Sequence, residues 1–145
     1  MEAIFKEPEI EMTTDSGETY VVMTVDHERK LLYIDWSWKY DYGFDVIENA
    51  AMKSVEIIEE YGLQGAIANL KKVSGNWDPI NPWIIDTWLP AVQEAGAKYW
   101  IHVQPEEFFA ELSAEVLEEG FMMGGMKAQN AKTPEEALEW WDQNA

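Results

Sequence analysis

The strongest constraint in this sequence is a hydrophobic period that keeps switching between two and about 3.6 residues. "TYVVMTV" (19–25) is β-branched and apolar, and "KLLYIDWSW" (30–38) alternates, with Leu32, Ile34, Trp36 and Trp38 on one face. The polar tetrapeptide "DHER" (26–29) joins them, which predicts a β-hairpin. From Phe44 the spacing is helical through Ile47, Ala50, Ala51, Ser54, Val55, Ile58 and Tyr61, and Gly62 stands where a helix stops. "GAIANL" (65–70) is a short apolar strand, followed by the loop "KKVSGNWDPI". Asn81 and Pro82 have the chemistry of an N-cap and a first helical residue. That helix carries Ile84, Ile85, Trp88, Leu89, Val92 and Ala95 and ends at Gly96, with Pro90 predicting a kink near Asp86. "AKYWIHV" (97–103) is a strand. Gln104–Pro105 opens a helix with Phe108, Phe109, Leu112, Val116 and Leu117 inward and its glutamates (Glu106, Glu107, Glu111, Glu115, Glu118, Glu119) outward, ending at Gly120. "FMMGGM" (121–126) reads as a weak strand. The capping box "TPEE" (133–136) starts a last helix with Ala137, Leu138, Trp140 and Trp141.

The order β-β-α-β-α-β-α-β-α predicts an α/β fold: a mostly parallel mixed sheet of about five strands, with an N-terminal hairpin and four helices. Residues 1–18 are polar and read as a loose lead-in with a short strand at 9–13. Residues 19–145 then form a single domain.

Composition narrows the function. The chain has 145 residues, no cysteine and a formal net charge of −18. Thiolate zinc sites, disulfides and cysteine nucleophiles are excluded together. No basic footprint for nucleic acid is visible, and an anionic membrane would repel this surface. The N-terminus lacks the basic and apolar regions of a signal peptide, and no apolar run approaches the ~18 residues of a membrane span. These features predict a cytoplasmic protein that neither inserts in membranes nor binds nucleic acid.

"LLYIDW", "IIEEYGLQGAIANLKK", "DTWLPAVQEAGAKYWIHVQPEEFFAELSAE" and "TPEEALEWW" resemble the small bacterial STAS-like, or SpoIIAA-like, domains, many of which are labelled STAS/Sec14-type proteins of unknown function. The resemblance spans roughly residues 20–142. It implies a SpoIIAA-like fold and, by analogy with anti-sigma-factor antagonists, a regulatory role through protein contacts. Those antagonists are phosphorylated on a serine of a D-S-S-G-type motif at a helix N-terminus. This chain has no such motif. Ser74, in "NLKKVSGNWDPIN", is the comparable phosphorylation candidate, but it lies well before the helix start.

Ligands of open α/β sheets sit outside the carboxyl ends of the strands. There the stretch "DWSWKYDYGFD" (35–45) meets the loop 71–81. Trp38, Tyr40, Tyr42, Trp77 and Trp83, with Lys71 and Lys72 as cations, are the candidate ligand or partner surface. Aromatics at even positions of a strand are ordinarily core, and Trp36 belongs there. Trp141 is the candidate dimer contact, because adjacent helical residues diverge by about 100° and Trp140 and Trp141 cannot both pack inward. His102, among apolar strand neighbours, reads as a core or strand-end histidine, and His27 as an exposed turn residue. Two separated histidines make no metal site. Asp41, Asp45 and Glu48 form a carboxylate group near the aromatics. There is no nucleophile elbow, phosphate loop or zinc-protease motif, so no catalytic residue, metal or cofactor is expected. The favoured reading is a non-catalytic STAS-like interaction module with a protein partner, a second copy in a homodimer being one candidate. Its rivals are a binder of a small apolar or lipid-like ligand and a carboxylate-dependent enzyme.

Overall fold

The computed structural model describes residues 6–145 and shows an α/β fold built on a six-stranded mixed sheet. The strands are β1 (Lys6–Thr13), β2 (Thr19–Asp26), β3 (Leu31–Trp36), β4 (Gly65–Asn69), β5 (Tyr99–Val103) and β6 (Lys127–Ala131). They lie side by side in chain order. The pairs β1–β2 and β2–β3 are antiparallel, and β3 to β6 are parallel. The helices are α1 (Asp45–Tyr61), α2 (81–94), α3 (Phe108–Met123) and α4 (Pro134–Asn144). Among the described residues no helix is long and apolar enough to cross a membrane.

Two apolar layers follow from the strand period of two. Val21, Met23, Leu32, Ile34, Ala68 and Trp100 face the layer formed with α1, α2 and α3. Leu31, Ile67, Ile101 and Val103 face the opposite side, where α4 is the one helix among the described residues and covers them with Ala137, Leu138 and Trp141.

The sheet has one more strand than expected, and its last strand lies further on. The expected lead-in at 1–18 contains β1, which extends the 9–13 strand and pairs along β2; residues 1–5 of that lead-in lie outside the described residues. β1 is an edge strand bearing Pro8 and a register shift between Lys6 and Glu9, both compatible with an unpaired outer edge. The strand expected at 121–126 is displaced to Lys127–Ala131, because α3 runs through Gly120 to Met123. A Cβ on Gly120 would come within 2.6 Å of Ile85 Cδ1, so this glycine marks the close approach of α2 rather than a helix end. Phe121 is then core. The sequence "KAQNA" has no strand pattern of its own and is held by pairing with β5.

The disturbance expected at Asp86 takes the form of a widened π turn over Ile84–Trp88, immediately before Pro90, which has no N–H to return to the preceding turn. Asn81 is not the N-cap. A 3-10 turn, Asp78–Ile80, already leads into the helix, and the Asp78 N–H donates to Asn76 Oδ1 at 2.7 Å.

Candidate functional site

The parallel strands deliver three segments to one edge of the molecule. Residues 37–44 follow β3, 70–80 follow β4, and 104–107 lead from β5 into α3. Backbone contacts fasten them together. Lys39 and Ser74 form an isolated parallel bridge, and the Ser74 N–H donates to the Trp38 carbonyl at 3.1 Å. Gly75 has φ +100°, and a Cβ there would lie 2.7 Å from Tyr40 Cβ, so only glycine lets the loop pass this close.

The start of α3 is clamped to the same loop. The Glu107 carboxylate accepts from the backbone N–H of Gly75 at 2.5 Å, Phe109 at 2.7 Å and Ala110 at 3.3 Å. These donors, Gly75 first, hold the Glu107 carboxyl below its ordinary range. Ser113 Oγ donates to Asn76 Oδ1 and accepts from the Trp77 N–H, both at 3.1 Å.

This clamp frames an open groove of about 680 Å3 lined by Tyr40, Gly75, Asn76, Asp78, Pro79 and Phe109. The apolar surface continues along α3. Tyr40 is 59% exposed, Phe108 63%, Phe109 57%, Leu112 41% and Val116 53%. Phe108, Leu112 and Val116 recur at i+4, and the Phe108 and Phe109 rings meet edge to face at 5.5 Å. The inward orientation expected for these residues is thus reversed, apart from Leu117. Ala110, Ser113, Ala114, Leu117 and Phe121 form the buried face. Small residues at the front of α3 let it press onto the 75–77 loop, which turns the large apolar side chains outward.

A second space lies inside, between α1, α2, α3 and the sheet. It is a cavity of about 80 Å3 whose walls include Trp38, Trp77, Trp88, Trp100, His102 and Phe121. The Trp88 indole N–H donates to the Ala51 carbonyl at 2.8 Å and Ser54 Oγ at 3.2 Å. His102 is buried, and its Nδ1 has no hydrogen-bond partner among the described residues. Burial lowers its pKa from 6.5 to about 4, so the ring is neutral at neutral pH.

The residues selected from sequence divide between these spaces. Tyr40 lines the outer groove. Trp38 and Trp77 are core and line the inner cavity, so neither is part of an outer surface. The Trp38 indole N–H donates to the Gly43 carbonyl at 2.7 Å, and its ring stacks on Phe44 with centroids 5.9 Å apart. Tyr42 is half-buried; desolvation and the nearby Glu18 carboxylate raise its phenol pKa. Trp83 is half-buried against the core. Lys72 is exposed and pairs with Asp35 at 3.4 Å, while Lys71 donates its backbone N–H to Asn69 Oδ1 at 3.1 Å. Neither lysine lines the groove or the cavity. Ser74 sits mid-loop in the bridge to Lys39, next to Gly75, whose N–H reaches the Glu107 carboxylate at the start of α3, and it precedes no helix of its own.

Trp141 is buried against the sheet, its indole N–H 3.3 Å from the Arg29 carbonyl, so the expected dimer contact is a core residue. Ala137, Leu138 and Trp141 share one stripe of α4 at i+3 and i+4, and Trp140 falls to the half-buried side. Sequence reasoning missed Phe108, Phe109, Leu112 and Val116 as surface residues. The signal available for them was Ala110, Ser113 and Ala114, a competing small-residue face on the same helix. No family model, curated protein or solved structure matches this chain.

Proposed function

We propose that this chain is a non-catalytic, cytoplasmic STAS-like module that works by binding a protein partner across the groove and the outer face of α3. The observation that carries this reading is the contiguous exposed run Tyr40, Phe109, Phe108, Leu112 and Val116. Apolar residues in one patch at the carboxyl edge of a parallel sheet are what an interaction surface requires. Aromatic anchors such as Tyr40 and the phenylalanine pair typically carry most of an interface's energy. The STAS-like assignment itself rests on the sequence resemblance, and strands laid down in chain order with three helices on one face are compatible with it. The test is photo-crosslinking. A benzophenone amino acid at Leu112 is expected to give a discrete polypeptide adduct in source-organism extract, and one at Glu59 on α1 none. Equal labelling from both positions, or none from Leu112, defeats the reading.

A small-ligand reading has one observation of its own, the unpartnered His102 Nδ1 on an apolar cavity wall. The cavity's volume argues against a ligand held inside it. About 80 Å3 falls well short of the roughly 300–1,000 Å3 of sites for drug-sized molecules. Native mass spectrometry checks this directly: the protein is expected at its bare mass, and a retained small molecule would favour the cavity instead.

A further inference from the structure

Resting on the reading of the α3 face as a partner surface, we infer that its occupant is a basic amphipathic helix, one that sets a leucine- or phenylalanine-type stripe on Phe108, Leu112 and Val116 and lysines or arginines beside it. The apolar stripe alone would suit many partners. Its flank narrows the choice. Glu111, Glu115 and Glu119 follow one another at i+4 immediately beside Phe108, Leu112 and Val116, and Glu118 lies on the same side. α3 carries these four glutamates and no basic residue. Among the described residues none of the four takes part in an ion pair. Helical side chains three and four apart are neighbours, so the acids form a row parallel to the apolar seam.

That arrangement is complementary to a helix with an apolar stripe and a cationic border, and helix-in-groove recognition reads anchors at this spacing. It is unsuited to two other occupants. A second copy would bring an identical glutamate row, on a chain of formal charge −18, against the first. An anionic membrane would meet the same repulsion.

The experiment uses the full chain and three fluorescent 18-residue peptides, read by anisotropy at low and high salt. One is an amphipathic leucine/lysine helix. The second has the same composition, scrambled to destroy the stripe. The third replaces every lysine with glutamate. The first is expected to bind at least tenfold more tightly than the second, and the third not at all. Leu112→Gln/Val116→Gln, which leaves the charge unchanged, is expected to weaken the first peptide at least tenfold. Glu111→Gln/Glu115→Gln is expected to weaken it and flatten its salt dependence. Far-ultraviolet circular dichroism is the check that both variants remain folded, and wild-type spectra are expected.

If the scrambled peptide binds as well as the amphipathic one, or Leu112→Gln/Val116→Gln changes nothing, the attraction is charge alone and the inference fails. If the glutamate peptide binds equally, the partner is apolar without being basic. If sedimentation shows a dimer that Leu112→Gln/Val116→Gln dissolves, the occupant is a second copy. In both of those cases the inference fails while the partner-surface reading stands. No peptide binding together with no polypeptide adduct from position 112, or Leu112-dependent binding to phosphatidylcholine vesicles, removes both.

Discussion

The two faces of the sheet use their apolar residues in opposite ways. On the α4 face one helix places Ala137, Leu138 and Trp141 directly on Ile67, Ile101 and Val103, and its end is tied down by polar contacts. Arg29 spans Asp26 at 2.9 Å and Asp142 at 2.8 Å, which fastens the hairpin turn to the helix. The neighbouring Arg29 guanidinium accordingly holds the Asp142 carboxyl below its ordinary range. On the other face three helices leave a cavity and an unpartnered histidine inside, while Phe108, Leu112 and Val116 remain outside. The first face spends its large side chains on its own stability. The second withholds several from the core, and a helix that buries alanine and serine while exposing phenylalanine is organised for something beyond folding.

The sharpest way to break this contrast is at Trp141. Trp141→Ala removes the largest buried side chain on the α4 face and the donor to the Arg29 carbonyl. A loss of about 3–5 kcal/mol is expected in urea denaturation, the cost of truncating a buried tryptophan. A loss below about 1 kcal/mol would mean that α4 is only loosely docked and that the two faces do not differ as described.

His102 tests the interior of the opposite face. Burial holds its folded pKa at about 4, below the ordinary histidine value of 6.5. Below pH 6.5 the unfolded chain takes up a proton that the folded chain refuses, so stability is complete above pH 6.5 and falls as the pH drops toward 4. The full loss is on the order of 3 kcal/mol. Glu107 and Asp142 also lose their contributions as pH falls, but only below the ordinary carboxyl values of 4.5 and 3.8. Burial raises the Glu118 carboxyl, which acts in the opposite sense, so a fall in stability over the interval from pH 6.5 to about 5 reports the histidine. His102→Leu is expected to flatten stability across it, measured by urea midpoints at each pH. An unchanged slope would place the titration elsewhere.

Gly75 tests the clamp that turns α3 outward. Gly75→Ala sets a Cβ against Tyr40 at a φ of +100°, and a loss of more than about 1 kcal/mol is expected. It should also shift Tyr40 and Phe109 resonances in NMR spectra more than those of Trp141. A neutral substitution would show that the loop re-routes freely and that the groove is not a built feature.

The fold was legible wherever one period dominated. The hairpin, α1, β4, β5 and α4 each carry a single pattern with a recognisable stop or cap, such as Gly62 at φ +63° or Thr133 accepting from the Glu136 N–H at 3.1 Å. β1 and β6 are edge strands whose sequences, "KEPEIEMT" and "KAQNA", do not announce themselves and depend on the neighbour they pair with. The site was half legible. Tyr40 was identifiable as the aromatic beyond the strand end. Trp38 and Trp77 looked equally suitable, but the loop folds back and buries both. α3 was misread because it has two candidate inner faces, one large and apolar, the other small. Hydrophobicity favours the first, whereas the close approach of the 75–77 loop and of Ile85 selects the second. That selection is tertiary, and no local pattern records it.

The smallest expected effect is the most informative about this choice. Leu112→Gln/Val116→Gln exchanges two exposed apolar residues for a good helix former without changing charge. If the outward face contributes nothing to folding, each substitution should shift stability by no more than about 0.5 kcal/mol, and the variant should unfold with the wild-type urea dependence. A combined loss of several kcal/mol would mean that these side chains pack inward in solution, with α3 rolled onto its larger apolar face, and the contrast between the two faces would collapse. Wild-type stability with weakened peptide binding would separate the residues that build this fold from those it holds in readiness for a partner.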